Sequence, residues 1–181
     1  MQTNSCDFVD TFNGIDSNLG NTDYIYAFSN ITFAPGSLKA VATKDGKIVA
    51  QQELQTAGEP AAIKLTTHTG PKGLQADGGD VALIDFEVVD EQGRRCPTDE
   101  ARVDFEVSGP TVWRGGFNAA KLNTTNNKFL DTECGINRVA IRSTLTPGTI
   151  TVTTKRDGLK SATVKIESLP VAIHGGLAAG N

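Results

Sequence analysis

Alternating apolar and polar positions run through most of the chain after about residue 60 and predict β-strands. The clearest run is 81–89, in which Ala82, Ile84, Phe86 and Val88 alternate with polar or charged residues. One face of such a strand should pack in a core and the other should meet solvent. Further alternating runs occupy residues 62–66, 102–107, 137–143, 149–154 and 161–166. Strands that recur about every 8–12 residues between Pro-Gly and Asp-Gly turns predict an immunoglobulin-like β-sandwich of roughly seven strands.

The first 57 residues predict a separate and thinner all-β unit. Residues 38–43 and 48–54 alternate around Lys44-Asp45-Gly46-Lys47, which is the pattern of a β-hairpin. Residues 56–60 form a small-residue linker that ends in Pro60. We therefore predict three segments: a partial immunoglobulin-like module at 1–57, a complete one at 58–168 and a loose tail at 169–181.

Composition excludes several classes of protein. The net charge is −4 and the basic residues are scattered, so the chain lacks the basic patch that binds nucleic acid or anionic lipid. No run approaches the 18 or so apolar residues of a membrane span. Residues 1–10 contain neither the basic nor the apolar region of a secretory signal. We expect a soluble protein without nucleic-acid or membrane partners.

Residues 108–135 predict one long irregular insert. It contains the single tryptophan, Trp113, followed by Arg114, a Gly-Gly pair, Phe117 and Asn118. Long loops in compact domains are usually functional or mobile, and an aromatic ring, a guanidinium and an amide suit contact with a polyol. The alternative is that Trp113 and Phe117 turn inward and close one end of the sandwich. These residues are our candidates for a carbohydrate contact or a protein interface.

Catalytic and metal-binding patterns are weak. Asp85, Glu87, Asp104 and Glu106 resemble a pool of acid/base carboxylates, but they fall on the predicted solvent faces of regular strands. The two histidines have no nucleophile motif or metal-ligand spacing around them. We therefore predict no catalytic residues in this chain and no cofactor.

A short acidic stretch and the cysteines leave alternatives open. Asp77-Gly78-Gly79-Asp80 offers two carboxylates to calcium, but too few ligands for a convincing site, so a plain turn is favoured and no metal is expected. Cys96 and Cys134 each lie near the end of a predicted strand. They predict either a disulfide with each other or buried free thiols.

Several motifs resemble those of one enzyme family. In the first unit these are Phe8 to Gly14 (FVDTFNG), Leu19-Gly20, residues 33–42 (FAPGSLKAVA) and residues 56–60 (TAGEP). The second unit adds residues 74–78 (LQADG), 84–90 (IDFEVVD), 107–110 (VSGP) and 157–162 (DGLKSA). Together they resemble C-terminal β-sandwich modules of family 2 glycoside hydrolases, the multidomain β-galactosidase-like enzymes of Bacteroides and their relatives.

This resemblance implies a non-catalytic accessory region of a larger hydrolase. In the family the catalytic glutamates lie on a TIM barrel, and this chain has no βα repeat that would form one. The implied partners are the catalytic domain of the parent enzyme and carbohydrate, and the implied location is the periplasm or the cell exterior. The first module lacks the opening strands that family members carry, so it is expected to be truncated.

A second interpretation belongs to a different class of function. The later motifs also resemble bacterial immunoglobulin-like repeats, which serve as structural or adhesive spacers of surface proteins. A TIM barrel encoded upstream in the same reading frame would favour the enzyme appendage, whereas further tandem sandwiches would favour the spacer. A free-standing hydrolase is the least favoured interpretation, because a small sandwich offers little room for an unrecognised site.

Overall fold

The structure, a computed structural model, describes residue 32 and residues 34–119, 125–174 and 177–178. Its described residues form strands, turns and bends, and contain no helix that could cross a membrane. The strands are β1 (Ser37–Lys44), β2 (Lys47–Gln55), β3 (Ala62–His68), β4 (Leu74–Gln75), β5 (Val81–Val89), β6 (Arg102–Ser108), β7 (Thr111–Gly116), β8 (Phe129–Asp131), β9 (Ile136–Ser143), β10 (Gly148–Lys155), β11 (Thr163–Leu169), β12 (Ile173–His174) and β13 (Leu177–Ala178). The chain divides into two compact units, Met1–Thr56 and Ala57–Asn181.

The described part of the first unit is the predicted hairpin. Strands β1 and β2 pair antiparallel from Ser37 with Gln55 to Lys44 with Lys47. The two turn residues have positive φ, 52° at Asp45 and 75° at Gly46, as a two-residue hairpin turn that matches the strand twist requires. The predicted truncation of this module rests on residues before 32, which lie outside the described residues.

The second unit is a sandwich of two antiparallel sheets. One sheet has four strands in the order β3-β5-β9-β7, and the other has five in the order β4-β11-β10-β6-β8, where the short β4 pairs parallel with β11. The side chains of β5 alternate as predicted, with Ala82, Ile84, Phe86 and Val88 fully buried. Phe86 meets Phe105 of the opposite sheet edge-to-face, with ring centroids 5.1 Å apart. The predicted all-β, immunoglobulin-like fold is confirmed.

The stretch 108–135 is less irregular than its sequence predicts. It contains β7, which pairs with β9, and β8, which pairs with β6. Thr111, Val112 and Trp113 have the β-branched and aromatic side chains of a strand. Pro110 and the Gly115-Gly116 pair on either side hide that pattern, because both residue types usually mark turns.

Cys96 and Cys134 are free thiols, so the alternative of a disulfide between them is wrong. The Cys96 sulfur is buried and points at the carbonyl oxygen of Gly58, 3.6 Å away. Cys134 is exposed and forms with Gly135 the two-residue turn that joins β8 to β9, with φ of 54° and 78°. The backbone of Gly135 lies close to the Cys96 carbonyl group, but the Cys96 thiol is buried and Cys134 is exposed.

Two buried carboxylates fix loops of the second unit. Asp90 accepts hydrogen bonds from the backbone N–H groups of Gly58, Gln92 and Arg94 and from the Arg94 guanidinium. Burial by itself would raise the pKa of Asp90, but these donors outweigh it and lower that pKa to about 2. The linker residue Gly58 is therefore tied to the end of β5.

Asp99 does the same for the loop before β6. Both of its oxygens accept from Arg156, at 2.7 Å each, and Oδ1 also accepts from the Thr132 hydroxyl and the Ala101 backbone. Desolvation alone would raise the pKa of Asp99, but the hydrogen bonds from Arg156 and Thr132 outweigh it and hold the pKa below its ordinary value. The pair links this loop to the turn that follows β10.

The last residues are partly paired. Leu169 ends β11, and the short strands β12 and β13 form an antiparallel pair of two residues each. The tail predicted to be loose from residue 169 thus contains one short antiparallel strand pair.

Candidate functional site

Trp113 points into the sandwich. Its ring lies 5.3 Å from that of Phe105 and packs against the core, and its indole N–H donates to the carbonyl oxygen of Asn127 at 2.7 Å. The indole therefore closes this end of the core, and its one polar atom is satisfied by the chain segment that follows. Of the two orientations considered for Trp113, the structure has the inward one.

The Gly-Gly pair after Arg114 allows a close approach that no other residue would permit. The pairing of β7 with β9 shifts register between Trp113 and Gly115, which is a β-bulge. Gly115 has φ of 67°, and a Cβ there would lie 2.8 Å from the Asn126 nitrogen. At Gly116 a Cβ would lie 2.4 Å from the Arg138 oxygen. The Trp-Arg-Gly-Gly motif is thus explained by packing.

Asn118 is a structural residue, with only 1% of its surface exposed. Its amide nitrogen donates to the Asp131 carbonyl oxygen and the Glu133 carboxylate, and its amide oxygen accepts from the Asp131 N–H. These contacts hold the chain after β7 against β8. Asn118 therefore lies out of reach of an external ligand.

Arg114 and Phe117 remain at the surface, and both line a depression on the outer side of the four-stranded sheet. The depression is shallow and open, with a volume of about 420 Å³. Leu83 and Ala140 contribute apolar surface to it, and Phe117 is 69% exposed. The remaining lining residues are Gly115, Gly116, Thr125, Asn137, Arg138 and Val139. The candidate contact role stays a prediction for Arg114 and Phe117.

The two arginines of the depression differ in their partners. Arg138 donates through Nε and Nη2 to Asp85, which also contacts His68 Nε2 at 2.9 Å. The hydrogen bond from Arg138 is the main reason that the pKa of Asp85 lies below its ordinary value. The Arg114 side chain has no hydrogen-bond or ion-pair partner among the described residues. Its guanidinium is thus available to a ligand.

Sequence reasoning missed the five members of this depression that lie on β5 and β9: Leu83, Asn137, Arg138, Val139 and Ala140. They come from β5 and β9, and they meet Arg114 only through the pairing of Leu83 with Ala140 and of Ala140 with Gly115. The alternation of β5 and β9 indicates which residues share a face. It does not give the register that brings them to the same place.

The four predicted surface carboxylates all form ion pairs on the outer sides of the two sheets. Asp85 pairs with Arg138, and the other three pair with basic residues of the same sheet. Those pairs are Glu87 with Lys64, Asp104 with Arg102 and Glu106 with Lys155. Their positions agree with the solvent faces that the alternation predicts.

Asp77 and Asp80 turn their oxygens to backbone donors. Asp77 Oδ1 accepts from the N–H groups of Gly79 and Asp80, at 2.8 and 2.7 Å, and Asp80 Oδ2 accepts from Gln75 N–H. The two backbone donors lower the pKa of Asp77. The stretch is the favoured plain turn, and the described residues contain no group of His, Cys, Asp and Glu side chains that could hold a metal ion.

Relatives of this chain are much longer hydrolases. A β-glucuronidase of Formosa agariphila is 52% identical over 91% of this chain, and a β-galactosidase of Bacteroides ovatus is 33% identical over 81% of it. The chain spans 17% of the length of each. The solved structure of a β-glucuronidase from glycoside hydrolase family 2 superposes with a TM-score of 0.76 at 54% identity. That match covers 82% of this chain and 16% of the other.

Family models match both units. Residues 8–50 match a domain of unknown function (DUF4982), and residues 63–165 match the model described as glycoside hydrolase family 2 C-terminal domain 5. The second match covers more than half of the chain and confirms the resemblance inferred from the motifs. The chain therefore belongs to the glycoside hydrolase family 2 C-terminal domain 5 family.

Proposed function

We propose that this chain is a non-catalytic accessory region at the C-terminal end of a β-glucuronidase-like or β-galactosidase-like hydrolase. The observation that carries the proposal is the match of residues 63–165 to a C-terminal domain of such enzymes, in a chain that spans 17% of its relatives. The other four-fifths of such a protein would then contain the catalytic machinery, and this region would pack on it or contact carbohydrate beside it.

The surface of the second unit supports a contact role rather than a chemical one. Each candidate carboxylate is engaged in an ion pair with a basic residue of the same sheet, and the hydrogen bond from Arg138 lowers the pKa of Asp85. A general acid, by contrast, needs a carboxyl group whose pKa is raised. The exposed Phe117 and the unpaired Arg114 are residue types enriched where proteins bind their partners.

A chimera with the Formosa agariphila relative would test this proposal. The segment of that β-glucuronidase that aligns with this chain would be deleted in one variant and replaced by residues 1–181 in another. We expect the deletion to lower the thermal midpoint and soluble yield of the enzyme, and the replacement to restore both. A chimera that carries Phe86→Ala, which leaves a cavity in the sandwich core, should fail to restore the thermal midpoint and the soluble yield.

The isolated chain provides the second measurement. Purified residues 1–181 should hydrolyse nitrophenyl β-glucuronide and nitrophenyl β-galactoside no faster than buffer. Turnover that survives repurification and disappears when the fold is destabilised would overturn the non-catalytic role. A chimera whose thermal midpoint and soluble yield are no higher than those of the deletion variant would overturn the accessory role.

The location of the parent enzyme is part of the same proposal. We propose the periplasm or the cell exterior, which is the location that the resemblance to family 2 glycoside hydrolases of Bacteroides implies. Cell fractionation followed by immunoblotting for this region tests it, and recovery in the cytoplasmic fraction alone would contradict it.

A further inference from the structure

We propose that the depression beside β7 binds a carboxylated sugar, with Arg114 holding the carboxylate and Phe117 covering one face of the ring. This inference rests on the proposed function, since it assigns a ligand to the contact surface of the accessory region. All the residues that line the depression belong to the sandwich of the second unit.

The charge of the depression favours a negatively charged ligand. Among the described residues, the depression is lined by two arginines and by no acidic residue. Arg138 already donates through two of its nitrogens to Asp85, whereas the Arg114 guanidinium has no polar partner in the described part of the chain. A guanidinium presents parallel N–H donors that match the two oxygens of a carboxylate, so an unpaired arginine in an acid-free depression favours a carboxylate ligand.

The shape and the apolar surface of the depression favour a sugar ring as the ligand. The depression has a volume of about 420 Å³ but is open rather than enclosed, so it would contact one face of a sugar ring and leave the other in solvent. Leu83 and Ala140 offer an apolar floor, and the Phe117 ring is 69% exposed beside it. A pyranose has an apolar C–H face that packs on such surfaces and hydroxyl groups that stay in water at an open site. A carboxylated pyranose combines this face with the anion that Arg114 requires.

The arrangement is built before any ligand arrives. The bulge that exposes Arg114 is fixed by the close packing of Gly115 and Gly116 against their neighbours. Asn137 donates to the carbonyl oxygens of Phe117 and Asp131, which holds the backbone of Phe117 over the depression. With the backbone at both positions fixed in this way, a ligand has to order only the two side chains, which lowers part of the cost of binding.

Calorimetric titration of the full 181-residue chain tests the proposal with matched probes. Methyl β-glucuronide is the probe, methyl β-glucoside is its neutral match, and acetate is the carboxylate without a ring. We expect millimolar binding of the glucuronide and at least about tenfold weaker binding of both others, since a hydrogen-bonded charge pair contributes on that scale. Raised salt should weaken the binding of the two anions, glucuronide and acetate, and leave that of the neutral glucoside unchanged.

Variants locate the site. Arg114→Gln and Phe117→Ala should each weaken glucuronide binding about tenfold or more. Arg142→Gln is the matched control, because Arg142 is an exposed arginine of β9 that does not line the depression. It should bind within about twofold of the wild type. All three changes are at the surface, and thermal melts would confirm that each variant is folded.

Three results would overturn the inference. The first is equal affinity for the glucuronide and the glucoside, and the second is an Arg114→Gln variant that binds the glucuronide as tightly as the wild type does. The third is no binding of the glucuronide at concentrations up to about fifty times the millimolar dissociation constant expected for a single sugar. In the last case, loss of stability in the enzyme chimera on Arg114→Gln would identify the depression as a contact for the rest of the enzyme. That outcome refutes the sugar ligand and leaves the accessory role intact. Failure of the chimera as a whole refutes the role itself.

Discussion

Replacing Arg156 with methionine should destabilise the second unit, because Asp99 would stay buried without its cation. The Asp99 side chain is 4% exposed and that of Arg156 is 20% exposed, and the two share a pair of hydrogen bonds of 2.7 Å. Methionine preserves most of the length and apolar contact of the arginine stem and removes only the charged donors.

The size of the effect follows from what Asp99 retains. Removing one partner of a buried ion pair costs about 3–5 kcal/mol, because the remaining charge loses its compensation. Asp99 would keep its hydrogen bonds from Thr132 and Ala101, so we expect a value near the lower end, about 3 kcal/mol. With a urea dependence of about 2 kcal/mol per molar for a domain of this size, the unfolding midpoint should fall by about 1.5 M.

Urea unfolding can be followed in this unit alone. Trp113 is the single tryptophan of the chain and packs against the sandwich core, so its fluorescence reports on the second unit and not on the first. Lys155→Met is the matched control, because it removes one positive charge at the adjacent position from a pair in which Lys155 and Glu106 are 59% and 64% exposed. Exposed pairs contribute about 0–1 kcal/mol, so its midpoint should shift by less than about 0.5 M.

The pH dependence gives an independent check. The folded state holds the pKa of Asp99 below its unfolded value of about 3.9, so the pair stabilises the protein above that pH. This contribution is lost as the pH falls through the folded-state pKa. The difference in stability between wild type and Arg156→Met should therefore shrink in acid. Equal midpoint shifts for the two variants at pH 7, or a difference that does not change in acid, would refute the reasoning.

Three further predictions concern the turn after β8, the thiols and the core. Cys134→Asn should raise the free energy of unfolding by up to about 1 kcal/mol, because asparagine tolerates the positive φ of this position better than cysteine does. Gly135→Ala should lower the free energy of unfolding, because the new Cβ would lie 2.1 Å from the Cys96 backbone oxygen. Urea unfolding midpoints measure both effects. A thiol reagent should lose its fast reaction with this unit in Cys134→Ser and keep it in Cys96→Ser, because burial raises the pKa of Cys96. Phe86→Ala should cost about 3–5 kcal/mol by the same unfolding assay, and a loss under about 1 kcal/mol would contradict its place in the core.

The sequence was sufficient for the strands whose two faces differ sharply. In β5 and β6, apolar residues alternate with charged ones, and Ala82, Ile84, Phe86, Val103 and Phe105 are all buried in the sandwich. The hairpin turn at Asp45-Gly46 was equally visible, because few residue pairs accept two positive φ values. These elements are specified by neighbouring residues, and local patterns therefore reveal them.

The candidate site was only partly predictable for the opposite reason. Arg114 and Phe117 stood out as residue types suited to contact, but the inward turn of Trp113 depends on Phe105 and Asn127. The pair of Arg138 with Asp85 joins residues 53 positions apart, so no local pattern indicates it. Such contacts follow from strand register, which is a property of the folded sheet and not of any single segment.

The bulge at Arg114 also has a consequence for association between molecules. Strand β7 is the last strand of its sheet, and a regular outer strand offers free N–H and C=O groups on which another chain can build. Here Gly115 is bridged by Thr125, and the Asn126 N–H donates to the Arg114 carbonyl oxygen, so the following segment already occupies part of that ladder. The extra residue and the charge of Arg114 make the rest of the strand a poor template. The feature that presents a guanidinium to a ligand thereby also protects the β7 edge of the module from pairing with another chain.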